Sequence, residues 1–199
     1  MTTQQLTFPL APLVLADLLT PSRARNAALV FAGAMLTVLG AQVSIPVPPS
    51  PVPITGQTFA VVVAGAALGA KRGAGSQALY VLIGLFFPVY SDGKEGLDVL
   101  WGPTGGYLVG FIVAAWIIGR LAELGADRRP ALAIVSFGLA QLAIFGIGVP
   151  WLKVSADMTW ARAIHDGFTI FLVGGAIKAV CAGLALPAAW RIVGRIDRG

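Results

Sequence analysis

Long apolar runs, each closed by charged or turn-forming residues, make up most of this chain. Six can be marked off, at residues 26–45, 56–70, 74–90, 105–121, 131–149 and 168–190. A helix needs about 20 apolar residues to cross a bilayer, and five of the runs come close to that length. The second is short for a crossing. It either borrows from the proline-rich stretch before it or sits tilted among its neighbours. A further apolar stretch, 6–19, carries Pro9, Pro12 and Asp17 and reads as an interfacial lead-in or an extension of the first run. No Lys or Arg precedes it, so no secretory signal is expected. The pattern predicts an all-α membrane protein, a six-transmembrane-helix bundle that forms a single membrane domain over residues 1–199.

Composition narrows the class. Of 199 residues, 57% are hydrophobic and 12% charged, about half the ~25% charged fraction of soluble domains. Mean hydropathy is +0.83. These values exclude a disordered chain, a coiled coil and an ordinary water-soluble enzyme domain. The net charge of +5 does not point to nucleic acid, because the bases punctuate apolar segments and form no polar cluster. They are strongly one-sided. Arg23, Arg25, Lys71, Arg72, Arg120, Arg128, Arg129, Arg191, Arg195 and Arg198 fall on one side of the expected bundle, and Lys94, Lys153 and Arg162 on the other. By the positive-inside rule both termini and the loops after the second and fourth spans are cytoplasmic. The proline-rich loop between helices 1 and 2 is then extracytoplasmic. Trp151, Trp160 and Trp190 fall near span ends and read as interfacial anchors.

Lys178 is the only charged residue in the interior of a span. A lysine there costs ~2.5–3.5 kcal/mol on insertion scales. It serves either as the counter-charge for an anionic or strongly polar ligand, or as half of an ion pair with a loop acid such as Asp166. Gly174 lies one turn earlier on the same face and leaves room for a ligand. The run Trp101-Gly-Pro-Thr-Gly-Gly-Tyr107 is either a cavity-lining break at membrane depth or a turn and helix start with packing glycines. Thr104 and Tyr107 are its hydrogen-bonding side chains, and Trp101 suits a lid or a stacking surface.

Five prolines in residues 46–53 forbid helix and impose an extended, polyproline-like backbone. The segment is expected to be either a lid over a pocket or a rigid connector, with Thr55, Gln57 and Thr58 as polar groups at its inner end. Ala24, Ala28 and Ala32 form a small-residue stripe along the first helix, a pattern that lets another helix approach closely in lipid. One histidine and one cysteine, Cys181, offer neither a metal cluster nor an internal disulfide. No catalytic triad stands out and no phosphate-binding loop occurs, so neither an enzyme nor an ATP site within this chain is expected.

Three stretches in the same order carry a family resemblance. They are Pro53-Ile-Thr-Gly-Gln-Thr-Phe59, Gly65-Ala-Ala-Leu-Gly-Ala-Lys-Arg-Gly73 and Gly102-Pro-Thr-Gly-Gly-Tyr-Leu-Val-Gly-Phe111. Together they resemble the BioY family, the biotin-specific substrate-binding (S) components of energy-coupling-factor (ECF) transporters, over roughly residues 28–190. The resemblance implies biotin as the transported ligand, with no cofactor, in a bacterial cytoplasmic membrane. It also implies a transmembrane coupling (T) protein, docked on Ala24, Ala28 and Ala32, and a cytoplasmic ATPase pair. The family lysine of the last helix falls on Lys178. Substrate contacts are expected from Lys178, Gln57, Thr104 and Tyr107, with Trp101 and Tyr90 packing on the ligand. One position departs from the pattern: where the family carries an aspartate three residues before the lysine, this chain has Gly175. The ureido N–H groups of biotin need an acceptor, for which Asp92, Thr104, Gln57, Asp166 and a backbone carbonyl are candidates. Uptake without ATPase partners, alone or as an oligomer, and an S component for another small vitamin are the alternative readings.

Overall fold

The computed structural model describes residues 14–196, which are mostly helical. The expected lead-in falls partly outside them, at residues 6–13. Helix α1 (Arg23–Gln42) starts at Ser22, whose side chain accepts the Arg25 N–H at 3.0 Å. There follow α2 (Gln57–Leu68), α3 (Ala70–Gly84), the single turn and a half of α4 (Leu97–Trp101), α5 (Gly105–Glu123), α6 (Pro130–Ser155), α7 (Trp160–Gly167) and α8 (Leu172–Ile196). Four helical runs are long and apolar enough to cross a membrane: α1, α5, α6 and Trp160–Val193.

The two short helices differ from what the apolar runs predict. A loop is expected around Lys71-Arg72, but α3 begins at Ala70 and both bases ride in its first turn. The corner is a single residue, Gly69, at φ +82°, and Glu123 Oε1 accepts the orphan Ala70 N–H at 2.9 Å. Glycine is needed there because the left-handed region strains any side chain. At 12 residues α2 is only ~18 Å long. It is central, packed against α1, α3, α5 and α8. Its residues Ala60, Val61, Val62, Ala64, Gly65, Ala66 and Leu68 are all buried.

The segment between α1 and α2 corrects another expectation. The backbone does not stay extended throughout but folds back on itself. Ser44–Ile45 pairs antiparallel with Ile54–Thr55, in register Ser44↔Thr55 and Ile45↔Ile54. Close contact between Gly40 and Gly56 lets this narrow hairpin sit on the end of α1. Its tip is tied down by Ser50, whose hydroxyl donates to the Asp166 carbonyl at 2.7 Å. Helix α6 also runs past its expected end at 149. Pro150 removes one helical hydrogen bond, but Val149 and Leu152 on either side are buried and the helix continues to Ser155. Cys181 is exposed.

At the opposite end, the loop after α5 is pinned to α8. Trp190 Nε1–H donates to Asp127 Oδ2 at 2.6 Å, and the Arg128 guanidinium lies 4.4 Å from the Trp190 ring centre. Asp127 is 3% exposed, and among the described residues its Oδ1 has no hydrogen-bond partner. Burial pushes its carboxyl above the usual range, and the Trp190 bond and the Arg128 charge only partly offset this. A raised pKa means that the folded chain binds this proton more tightly than the unfolded chain. The resulting stability is present in acid, below ~3.9, and is lost as pH rises through the folded pKa. Asp127→Asn has no charge to bury. It is therefore expected to gain melting temperature relative to wild type as pH is raised from about 4 to about 7.5. A difference that stays flat across that range contradicts this account.

Candidate ligand-binding site

At the end of α5 remote from Arg120 the bundle does not close. The proline-rich hairpin, the starts of α2, α5 and α8 and the middle of α6 surround a cavity of about 670 Å³, its mouth included. Most of its wall is apolar: Val52 and Ile54 from the hairpin, Leu108 and Phe111 from α5, Ile144 and Phe145 from α6, and Phe171. Phe145 anchors this wall, meeting Phe168 edge-on at 5.0 Å and Tyr107 at 6.4 Å between ring centres. The room comes from α8, where Gly174 and Gly175 present bare backbone to the cavity one turn before Lys178.

Lys178 is the cation of this site. Its Nζ donates to the Thr55 carbonyl at 2.6 Å and to Thr58 Oγ1 at 2.9 Å. Both acceptors are neutral, and among the described residues the ammonium forms no ion pair. The reading of Lys178 as half of a pair with Asp166 is thereby overturned. The Asp166 carboxylate is 3.2 Å from Arg162 Nε and 2.7 Å from His165 Nδ1. An ammonium has three N–H donors, so one remains for a ligand. The lysine also links α8 to the inner end of the hairpin, since Thr55 belongs to its second strand.

Of the other residues expected at the site, Gln57, Thr104, Tyr107 and Tyr90 line the cavity with Lys178. Several of their polar atoms are already engaged. Gln57 Nε2 donates to the Tyr80 hydroxyl at 2.7 Å, and its Oε1 accepts from Thr55 at 2.8 Å. Tyr107 donates to the Gly167 carbonyl at 2.9 Å and Tyr90 to the Val81 carbonyl at 2.8 Å. The tyrosines therefore offer rings to the cavity while their hydroxyls brace the frame. Trp101 and Asp92 stand outside the lining. Trp101 is 70% exposed and stacks on Trp151 at 5.8 Å, and Trp151 Nε1–H donates to the Gly102 carbonyl. Asp92 is exposed at φ 61° with Lys94 3.6 Å away. Ala24, Ala28 and Ala32 lie along α1, all three exposed. Sequence reasoning passed over one polar lining residue in mid-span, Gln141 on α6. The signal was there, an uncharged amide in the centre of an apolar run.

Comparison with known proteins places this geometry in context. The model of the BioY family matches residues 6–195. The biotin transporter BioY of Thermotoga maritima is 42% identical over 150 residues, covering 75% of this chain and 86% of that protein. The protein of the same name from Rhizobium etli is 36% identical, covering 67% and 75%. In fold, the chain is similar to a crystal structure of the S-component for biotin from an ECF-type ABC transporter. The TM-score is 0.76 at 22% identity, with 86% of this chain and 95% of that one covered.

Proposed function

The chain belongs to the BioY family, a family of membrane transport proteins and not of enzymes, and from that premise we propose that it captures biotin from outside the cell as the S component of an ATP-driven ECF transporter. The observation that carries the proposal is the cavity itself: an apolar vault with one unneutralised ammonium at its wall. Biotin has an apolar thiophane and valeryl body, a ureido head and a carboxylate. The aromatic and aliphatic wall covers the body, and the free N–H of Lys178 meets a ligand oxygen. A charge-assisted hydrogen bond in a water-poor site is roughly twice as strong as a neutral one, so this contact supplies orientation as well as affinity.

In this reading the chain is one membrane domain with six spans, α2 and α3 being the short central pair. Both termini face the cytoplasm and the hairpin covers the site from outside. The exposed Ala24, Ala28 and Ala32 stripe receives the T protein. The hairpin is positioned as a lid, since Val52, Pro53, Ile54 and Thr55 form its inner side over the cavity and Lys178 holds it at Thr55.

Equilibrium binding of radiolabelled biotin to the purified protein tests the assignment, with saturation at one biotin per chain below micromolar concentration as the expected result. Protein that ignores biotin at micromolar concentration removes the vitamin assignment. Uptake into vesicles tests the partners: accumulation is expected only when the T protein, the ATPase pair and ATP are present. Accumulation by this chain alone would favour the solitary transporter.

A further inference from the structure

Among the described residues, three buried side-chain atoms lack a hydrogen-bond partner: Ser44 Oγ, Asp127 Oδ1 and Gln141 Oε1. Of these three residues only Gln141 lines the cavity. It is 8% exposed, in the middle of α6, where the surrounding positions Ala140, Ile144 and Phe145 are core. An unpaired amide at such a place is destabilising, and a leucine would fill a similar volume without that cost. The Gln141 amide also has a seat made for it. A Cβ on Gly175 would lie 3.2 Å from Gln141 Nε2, so the bare backbone of α8 is what lets the amide rest there. Gly175 lies one turn before Lys178 on α8, and Gln141 and Lys178 line the same cavity.

We propose that Gln141 is the residue that reads the ureido ring of the ligand. This deepens, and rests on, the assignment of biotin to the cavity. A cyclic urea carries N–H donors and a carbonyl acceptor on one rigid edge. A primary amide carries the complementary pair, Oε1 to accept and Nε2 to donate. With one ureido N–H given to Gln141 Oε1 and the ureido carbonyl facing Lys178 and the amide N–H, the orphan Gln141 oxygen and the third N–H of Lys178 both find a partner. The pairing also sets specificity through charge. Gln141 is neutral and Lys178 positive, so the cavity accepts a neutral urea and rejects the cationic cyclic guanidine of 2-iminobiotin.

Binding of biotin and of protonated 2-iminobiotin is measured on purified wild type, Gln141→Leu and Gln141→Glu. Gln141→Leu is expected to weaken biotin about 10- to 100-fold, the range of one buried hydrogen-bonding partner removed, with melting temperature at or above wild type because the orphan amide is gone. Gln141→Glu supplies a carboxylate to the cavity wall and is expected to move the biotin-to-iminobiotin affinity ratio at least about 10-fold toward iminobiotin. A ratio is insensitive to a general folding defect, so it decides the matter even if Gln141→Leu folds poorly. Wild type that binds biotin, with the ratio unmoved in Gln141→Glu, overturns the role given to Gln141 and leaves the biotin assignment standing. Wild type that binds no biotin overturns the assignment beneath it.

Discussion

Replacing Lys178 by methionine is expected to weaken biotin binding about 100-fold, or ~2.7 kcal/mol, and to leave melting temperature in detergent unchanged or higher. The two effects have opposite signs for a physical reason. The charge sits in a stretch of α8, residues 172–190, otherwise made of apolar residues and glycine, where lysine is disfavoured by ~2.5–3.5 kcal/mol. Among the described residues no acid compensates it, and its two partners are the Thr55 carbonyl and the Thr58 hydroxyl. Methionine keeps the length of the stem and removes the burden of burying the ammonium. The ligand loses a charge-assisted hydrogen bond, worth about 1.5–3 kcal/mol. A lysine kept only for structure gives the reverse pattern, a lower melting temperature with unchanged affinity, and that result would contradict its role as a ligand group. Calorimetric titration with parallel thermal unfolding separates the two outcomes.

The second large effect is on the fold. A Cβ on Gly119 would stand 2.4 Å from Ala70 N, 2.5 Å from Gly69 C and 2.6 Å from Ala70 Cα. All three are backbone atoms of the one-residue corner between α2 and α3, and Glu123 pins that corner from the same helix. Nothing there can rotate away, so relief requires α5 to move off the corner. Gly119→Ala is expected to cost at least ~3 kcal/mol, which lowers the melting temperature by roughly 6–12 °C for a chain of this size. Gly119→Leu is expected to yield no monodisperse protein. The chain contains its own control: Gly138 and Gly146 on α6 have no atom within 4 Å of a built Cβ. Gly138→Ala and Gly146→Ala should be neutral or slightly stabilising, since alanine is the better helix former by up to ~1 kcal/mol. Equal losses at all three positions would mean that close packing at the corner is not what Gly119 provides.

Much of this architecture is legible in the sequence because lipid imposes few solutions on an apolar chain. The start of α5 at Gly105 follows from the Gly-Pro-Thr-Gly-Gly break before it. Lys178 stands out because an intramembrane charge has to be explained. The lining of the cavity by Thr55, Gln57 and Thr58 follows from their place just inside the proline-rich segment. What escaped depended on contacts between distant parts of the chain. The corner at Gly69 is hidden because Lys71-Arg72 looks like a loop until Glu123 supplies the missing cap. The Tyr107 hydroxyl looks available to a ligand until the Gly167 carbonyl is brought to it. Trp101 looks like a lid until Trp151 is found beneath it. Gln141 was passed over for a different reason: in lipid a lone amide is a weaker signal than a charge, although a buried one has as much need of a partner.

Everything above turns on whether the vitamin enters the vault between the hairpin and α8. The most direct test is the structure of the protein crystallised with biotin. One biotin per chain is expected under Val52–Thr55, its thiophane and valeryl body against Phe145 and Phe171 and a ligand oxygen within hydrogen-bond reach of Lys178 Nζ. Biotin found elsewhere on the molecule, with this cavity empty and Lys178 still bonded only to Thr55 and Thr58, would contradict the account.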